Sequence, residues 1–152
     1  MGILSQKDMQ TGFSLIECVV VLCIMALVLW VSVPALGNIY EKQLVEQQTR
    51  LIEEQLVWLR SEAQEKECRA SFRVINKGQY ALSVIDGDGS QTKEYSLMHH
   101  RLSLESNAQD GTIEFSKEKT SFEKCRVIIK GKYQSRHIVV SNLGRIRVEE
   151  GA

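Results

Sequence analysis

The sequence predicts an α+β fold, one long N-terminal helix packed on a C-terminal antiparallel β-sheet, and three observations carry that prediction. From Cys18 to Val31 every residue is apolar. Beyond it, Leu44, Leu51, Ile52, Leu56, Leu59 and Ala63 recur at helical intervals with Glu and Gln between them. After Cys68 the alternation changes to period two. With 152 residues, 43% of them hydrophobic and 25% charged, the chain holds enough material for one small domain and an anchor. Its formal net charge is zero, so no global field selects a partner.

The apolar run, read from Phe13 to Val33 with Ser14 and Ser32 included, approaches the ~20 residues that a membrane-spanning helix needs. Glu17 interrupts its start. A carboxylate in hydrocarbon costs about 3 kcal/mol or more unless it is paired, so a partner must be sought. A chain cut between Gly12 and Phe13 would supply one, because Phe13 would then carry a cationic amine. Glu17 would be the fifth residue of that new terminus, one helical turn along, where charge pairing within or between subunits is within reach. Such pairing rewards lateral assembly in the membrane and penalises the lone chain.

A short polar leader ending in Gly12, then Phe13, Ser14, Glu17, an apolar helix and Pro34, resembles the class III leader of type IV pilins and pseudopilins. The resemblance implies cleavage after Gly12 by a prepilin peptidase, methylation of the new terminus at Phe13, and an assembly role for Glu17. It divides the chain into a leader, 1–12, a transmembrane part of the helix, 13–34, an exposed part of the same spine helix, 35–67, and a sheet domain, 68–152. The leader itself, "MGILSQKDMQTG", departs from the usual basic pattern, since Asp8 offsets Lys7. Three other readings compete. A secretory signal peptide would use Val33, Pro34 and Ala35 as a small-residue cleavage site, yet Glu17 breaks the approach to its apolar region. A lipoprotein signal fails because Cys18 precedes the apolar run. A signal anchor carrying an extracytoplasmic binding domain leaves Glu17 unexplained.

The helix is expected to continue past Pro34, which can kink it, with Gly37 and Asn38 loosening it locally. Its stripe is too short and its heptad too imperfect for a free coiled coil, so it should pack under the sheet. In the sheet domain, "RASFRVI" and "QYALSVI" flank "NKG", "EYSLMHHRL" follows the "DGDGS" turn, and "TIEFS", "CRVIIKGKY", "RHIVVS" and "RIRVEE" complete the strands. "LVWLRSEAQEKECRASFRV" resembles the helix-to-strand passage of H-type (FimT-like) minor pseudopilins. "IIKGKYQSRHIVVSNLGRIRVEEG" resembles the closing hairpin of the ComGD-type minor pseudopilin of competence machines. Together they imply a pilin-like fold.

Little else in the sequence carries chemistry. Asp86, Asp88 and Ser90 alternate as in a calcium loop, but Leu97 stands where an EF-hand-like loop needs a bidentate glutamate, and a hairpin turn accounts for the pattern. His99 and His100, as strand neighbours, would point to opposite faces, and His137 is solitary, so no metal or other cofactor is expected. No G-x-S-x-G elbow accompanies the serines, and catalysis is not expected. Cys18 and Cys23 lie in the apolar run. Cys68 and Cys125 either form a disulfide, worth about 4 kcal/mol through loop closure in an oxidising compartment, or remain two buried thiols.

From Lys117 to Arg147 the chain carries nine basic residues, Lys117, Lys119, Lys124, Arg126, Lys130, Lys132, Arg136, Arg145 and Arg147, against Glu118 and Glu123. Lys130, Lys132, Arg145 and Arg147 mark a surface that either neutralises DNA phosphates or solvates the sheet and contacts acidic helices of neighbouring subunits. The expected protein is therefore a minor pseudopilin of a short type IV pilus-like filament, most directly one for competence DNA uptake, with type II secretion or a pilus as the alternative. Its expected partners are prepilin peptidase, other pseudopilins, the inner membrane and, non-specifically, DNA. Its expected place is the cell membrane, crossed once, with the C-terminal domain outside the cytoplasm, and the filament or cell surface after assembly.

Overall fold

The computed structural model describes residues 14–87, 89–117 and 124–151, with the side chains of 33–35 excepted. Gly12, Phe13, Asp88, Lys119, Glu118 and Glu123 lie outside the described residues. The chain divides into two compact units, 1–37 and 38–152, and one helix, α1 (Leu15–Glu65), contributes to both.

In the first unit every described residue from Ser14 to Val31 is exposed. The segment is long and apolar enough, by length and composition, to cross a membrane. Pro34 falls within α1.

Among its described residues the second unit holds the rest of α1 and eight strands: β1 (Arg69–Asn76), β2 (Gln79–Asp86), β3 (Gly89–Ser96), β4 (Ser103–Ser106), β5 (Thr112–Phe115), β6 (Cys125–Lys130), β7 (Ser135–Val140) and β8 (Ile146–Glu150). They form two antiparallel four-stranded sheets, not one. The first has the order β3-β2-β1-β5 and the second β4-β6-β7-β8. α1 ends because Glu67 takes a left-handed conformation, φ 53°, after the last helical bond from Lys66 N–H to the Glu62 carbonyl, 3.0 Å.

The period-two pattern explains the core. In β1 Ala70 and Phe72 are buried, in β5 Ile113 and Phe115, and in β6 Cys125, Val127 and Ile129. In register, Phe72 lies between Leu82 of β2 and Ile113 of β5, and Val127 opposite Ile138 of β7. Against this layer α1 buries Leu44, Val45, Ile52, Leu56, Leu59 and Ala63, so the helical stripe packs under the sheets as expected. Each of these leucine, isoleucine and valine side chains contributes about 1.5–3 kcal/mol, and Ala63 less.

Three details differ from the sequence expectation. β3 starts at Gly89, directly after a two-residue connection, and ends at Ser96, so "MHH" is not strand. There Met98 N–H leaves the ladder to donate to the Gln48 amide oxygen, 2.8 Å, and Leu102 N–H closes a turn on the His99 carbonyl, 3.0 Å. His99 and His100 accordingly stack, ring centroids 4.3 Å apart, instead of pointing to opposite faces. β4 is a strand that the sequence pattern does not announce. Glu41, Gln48 and Thr49 of α1 are also buried. Thr49 is accommodated by donating its hydroxyl to the Val45 carbonyl, 2.6 Å.

Candidate assembly site

Ser14 precedes α1 and Glu17 is its third helical residue, the spacing S-x-x-E. The Glu17 carboxylate accepts from Ser14 N–H at 2.9 Å, which satisfies one of the donors that a helix start leaves unpaired. A negative charge in the first turn also complements the positive end of the helix dipole. Glu17 thus has a local role that the counter-ion argument did not include, although Ser14 and Glu17 carried the capping-box signature in plain view. Cys18 and Cys23, exposed on the same helix, share the apolar run.

Of the basic strands, the register sorts outer from inner residues. On the outer face of the second sheet Arg126, Val139 and Arg147 form one row, and Ile128, His137 and Glu149 the next, with Glu105 opposite Ile128. Lys130 follows beside Ser103 and Ser135. Carboxylates therefore interleave with the cations. Lys130 donates to Glu105 at 2.6 Å and holds that carboxyl below its ordinary range. Lys132 lies 5.0 Å from the Tyr133 ring centroid. Arg145 and Arg147 are exposed, and among the described residues no ion pair engages them. Arg136 lies on the core side, between Glu46 at 3.1 Å and Glu150 at 2.7 Å. Lys117 pairs with Glu67. Sequence reasoning brought Lys130, Lys132, Arg145 and Arg147 together as one patch; the structure distributes them over a sheet face and two turns.

Cys68 and Cys125 are both buried, and both are thiols in the structure. Cys68 precedes the first sheet and donates from Sγ to the Glu62 carbonyl at 3.6 Å, whereas Cys125 opens β6 in the second. Burial raises the Cys68 thiol above its ordinary pKa, with the charge of Asp86 adding to it. A raised pKa favours the fold below the ordinary thiol value and loses that contribution as pH rises through the folded one. Peptide mapping without reductant is expected to find both residues alkylated only after denaturation. A linked Cys68–Cys125 peptide from exported protein would establish the bridge instead.

Asp86 ends β2 and accepts from Gly87 N–H at 2.7 Å, as in a tight hairpin. Among the described residues no cluster of three His, Cys, Asp or Glu side chains could hold a metal ion.

This arrangement of spine helix and antiparallel strands has solved counterparts. The type IV minor pilin FimU of Pseudomonas aeruginosa superposes with a TM-score of 0.58 at 18% identity, over 72% of this chain and 90% of FimU. A second crystal form of FimU gives 0.54 over 68% and 91%. The minor pseudopilin EpsH from the type 2 secretion system of Vibrio cholerae gives 0.58 at 13% identity, over 70% of this chain and 96% of EpsH. The fold is pilin-like. No family model and no curated relative matches the sequence.

Proposed function

We propose that this chain is a minor pseudopilin, a structural subunit of a type IV pilus-like filament, held in the inner membrane until it assembles. The observation that carries the reading is Glu17, the one charged residue from Phe13 to Val33, standing within a turn of the terminus that cleavage after Gly12 would create. The pilin-like fold supports it. Prepilin peptidase is the processing partner, and other pseudopilins of the filament are the assembly partners. The sheet domain faces away from the cytoplasm. Mass spectrometry of the chain from cells with a prepilin peptidase is expected to show a mature terminus at N-methylated Phe13. A terminus at Leu36, or an intact Met1, would overturn the reading.

The pathway we assign is competence DNA uptake, on the resemblance of the closing hairpin, residues 128–151. Secretion or a pilus is the second reading, favoured by neighbours that include a type 2 secretion pseudopilin and a type IV minor pilin. Deletion in the source organism separates them: loss of transformation with secretion intact supports the first, and the reverse supports the second.

DNA, if it binds this subunit, must use the cations that ion pairs leave available. Binding of unrelated duplexes by the full chain is expected to be weak and to fall steeply with salt. Arg145→Gln with Arg147→Gln is expected to lower the salt slope by about two, and Lys130→Gln by less than one, because Lys130 must first give up Glu105. A slope unmoved by the arginine pair would assign these residues to protein contacts.

A further inference from the structure

One end of the second unit gathers cations and aromatic rings from three separate segments. The first turn of that unit carries Tyr40 and Lys42, a turn carries His100 and Arg101, and the β6–β7 loop carries Lys132 and Tyr133; all six are exposed. The segments are fastened together. Gln134 donates from Nε2 to the Lys42 carbonyl at 3.0 Å. Arg101 lies 3.7 Å from the buried Glu41 carboxylate, whose other oxygen has no hydrogen-bond partner among the described residues. Gly131 packs so closely on α1 that a Cβ there would stand 2.7 Å from Val45 Cγ2. The loop carrying Lys132 and Tyr133 is therefore held against the helix by the absence of a side chain at 131.

Charge is uneven here. Of the three cations, Arg101 pairs with the buried Glu41, and among the described residues no ion pair engages Lys42 or Lys132, while Glu46, one helical turn from Lys42, is engaged by Arg136. Only residues 34–39 separate this end from the apolar run, a reach of no more than about 25 Å even fully extended. Tyrosine and basic residues together are the side chains that a membrane–water interface selects, the ring in the headgroup layer and the cation on phosphate.

We propose that this collar is a docking surface for the anionic phospholipid headgroups of the membrane that anchors the chain. The proposal rests on the reading that the apolar run spans the bilayer. Docking holds the sheet domain down on the membrane and competes with extraction into a filament. Each cation near an anionic surface contributes about fivefold in contact population, so the three together contribute about a hundredfold.

The test uses the full chain reconstituted in liposomes of phosphatidylcholine alone or mixed with phosphatidylglycerol, with hydrogen exchange followed by mass spectrometry. Exchange in 98–102 and 131–134 is expected to slow several-fold when phosphatidylglycerol is present. High salt is expected to reverse the effect, and Lys42→Gln/Arg101→Gln/Lys132→Gln to abolish it. Exchange that ignores lipid charge while the chain stays in the bilayer after carbonate washing overturns the proposal alone. A chain that carbonate extracts overturns the anchor reading and the proposal with it. Protection that rises with the protein-to-lipid ratio instead assigns the collar to a neighbouring subunit and overturns the lipid assignment.

Discussion

Glu17→Gln is expected to remove the protein from sheared filaments while leaving it processed and in the membrane. The variant separates the cap that the carboxylate forms from the counter-ion role proposed for it. Glutamine keeps an oxygen for Ser14 N–H, so the helix start survives, but it carries no charge for a neighbouring amine. Losing one partner of a charge pair in a low-dielectric setting costs about 3–5 kcal/mol, more than a hundredfold in the association of each subunit. Glu17→Ala removes the cap as well, for about another 1 kcal/mol. Immunoblots of sheared and membrane fractions read the outcome. Normal filament incorporation of Glu17→Gln would refute the counter-ion role and leave Glu17 as a capping residue.

Phe72→Ala is expected to destabilise the sheet domain by about 3–5 kcal/mol, a large share of the 5–15 kcal/mol typical of a whole domain. Phe72 is fully buried, stacks on Tyr80 with centroids 5.3 Å apart, and Tyr80 stacks in turn on Tyr95 at 5.5 Å. Truncating the first ring leaves a cavity between β2 and β5 and removes support from the other two. Burial also raises the Tyr80 phenol pKa, while the side chains of Gln55 and Gln48 act to lower it. Urea denaturation of the full chain in detergent, followed by near-ultraviolet circular dichroism, measures the loss. Ile75→Ala, on an exposed residue of β1, is the control and is expected to stay within about 0.5 kcal/mol. Equal midpoints for Phe72→Ala and the control would contradict the packing described.

The sequence carried the helix well because Ile52, Leu56, Leu59 and Ala63 must all face one way, and a period of 3.6 has few other uses. β1, β2, β6 and β7 were legible for the corresponding reason. β3 was not, since "GSQTKEYS" has one partly buried residue, Tyr95, and no alternation to read. β4 has four residues and one buried side chain, Leu104, below what a pattern can distinguish from loop. The split into two sheets depends on which strands pair over long separations, and a one-chain pattern does not encode it. The buried polar residues of α1 were hidden because their partners are distant: Gln48 answers a backbone N–H fifty positions on, at Met98. At the candidate site, Glu17 stood out by its chemistry. The scattering of the basic residues did not, because a run in sequence becomes a sheet face only after register assigns every second residue to the opposite side.

β3 also bears on how copies of this chain meet one another. It closes one edge of the first sheet, with its backbone paired to β2 on one side. An open edge of eight residues is long enough to recruit a strand from another molecule and start a fibrous aggregate. This edge carries Lys93 and Glu94 next to each other, together with Ser90, Gln91 and Thr92, all exposed. An incoming strand would find no apolar surface to bury on the outer face, and it would have to desolvate a lysine and a glutamate on opposite faces. Pairing of two copies at this edge is thereby disfavoured, and any self-association is left to other surfaces of the chain.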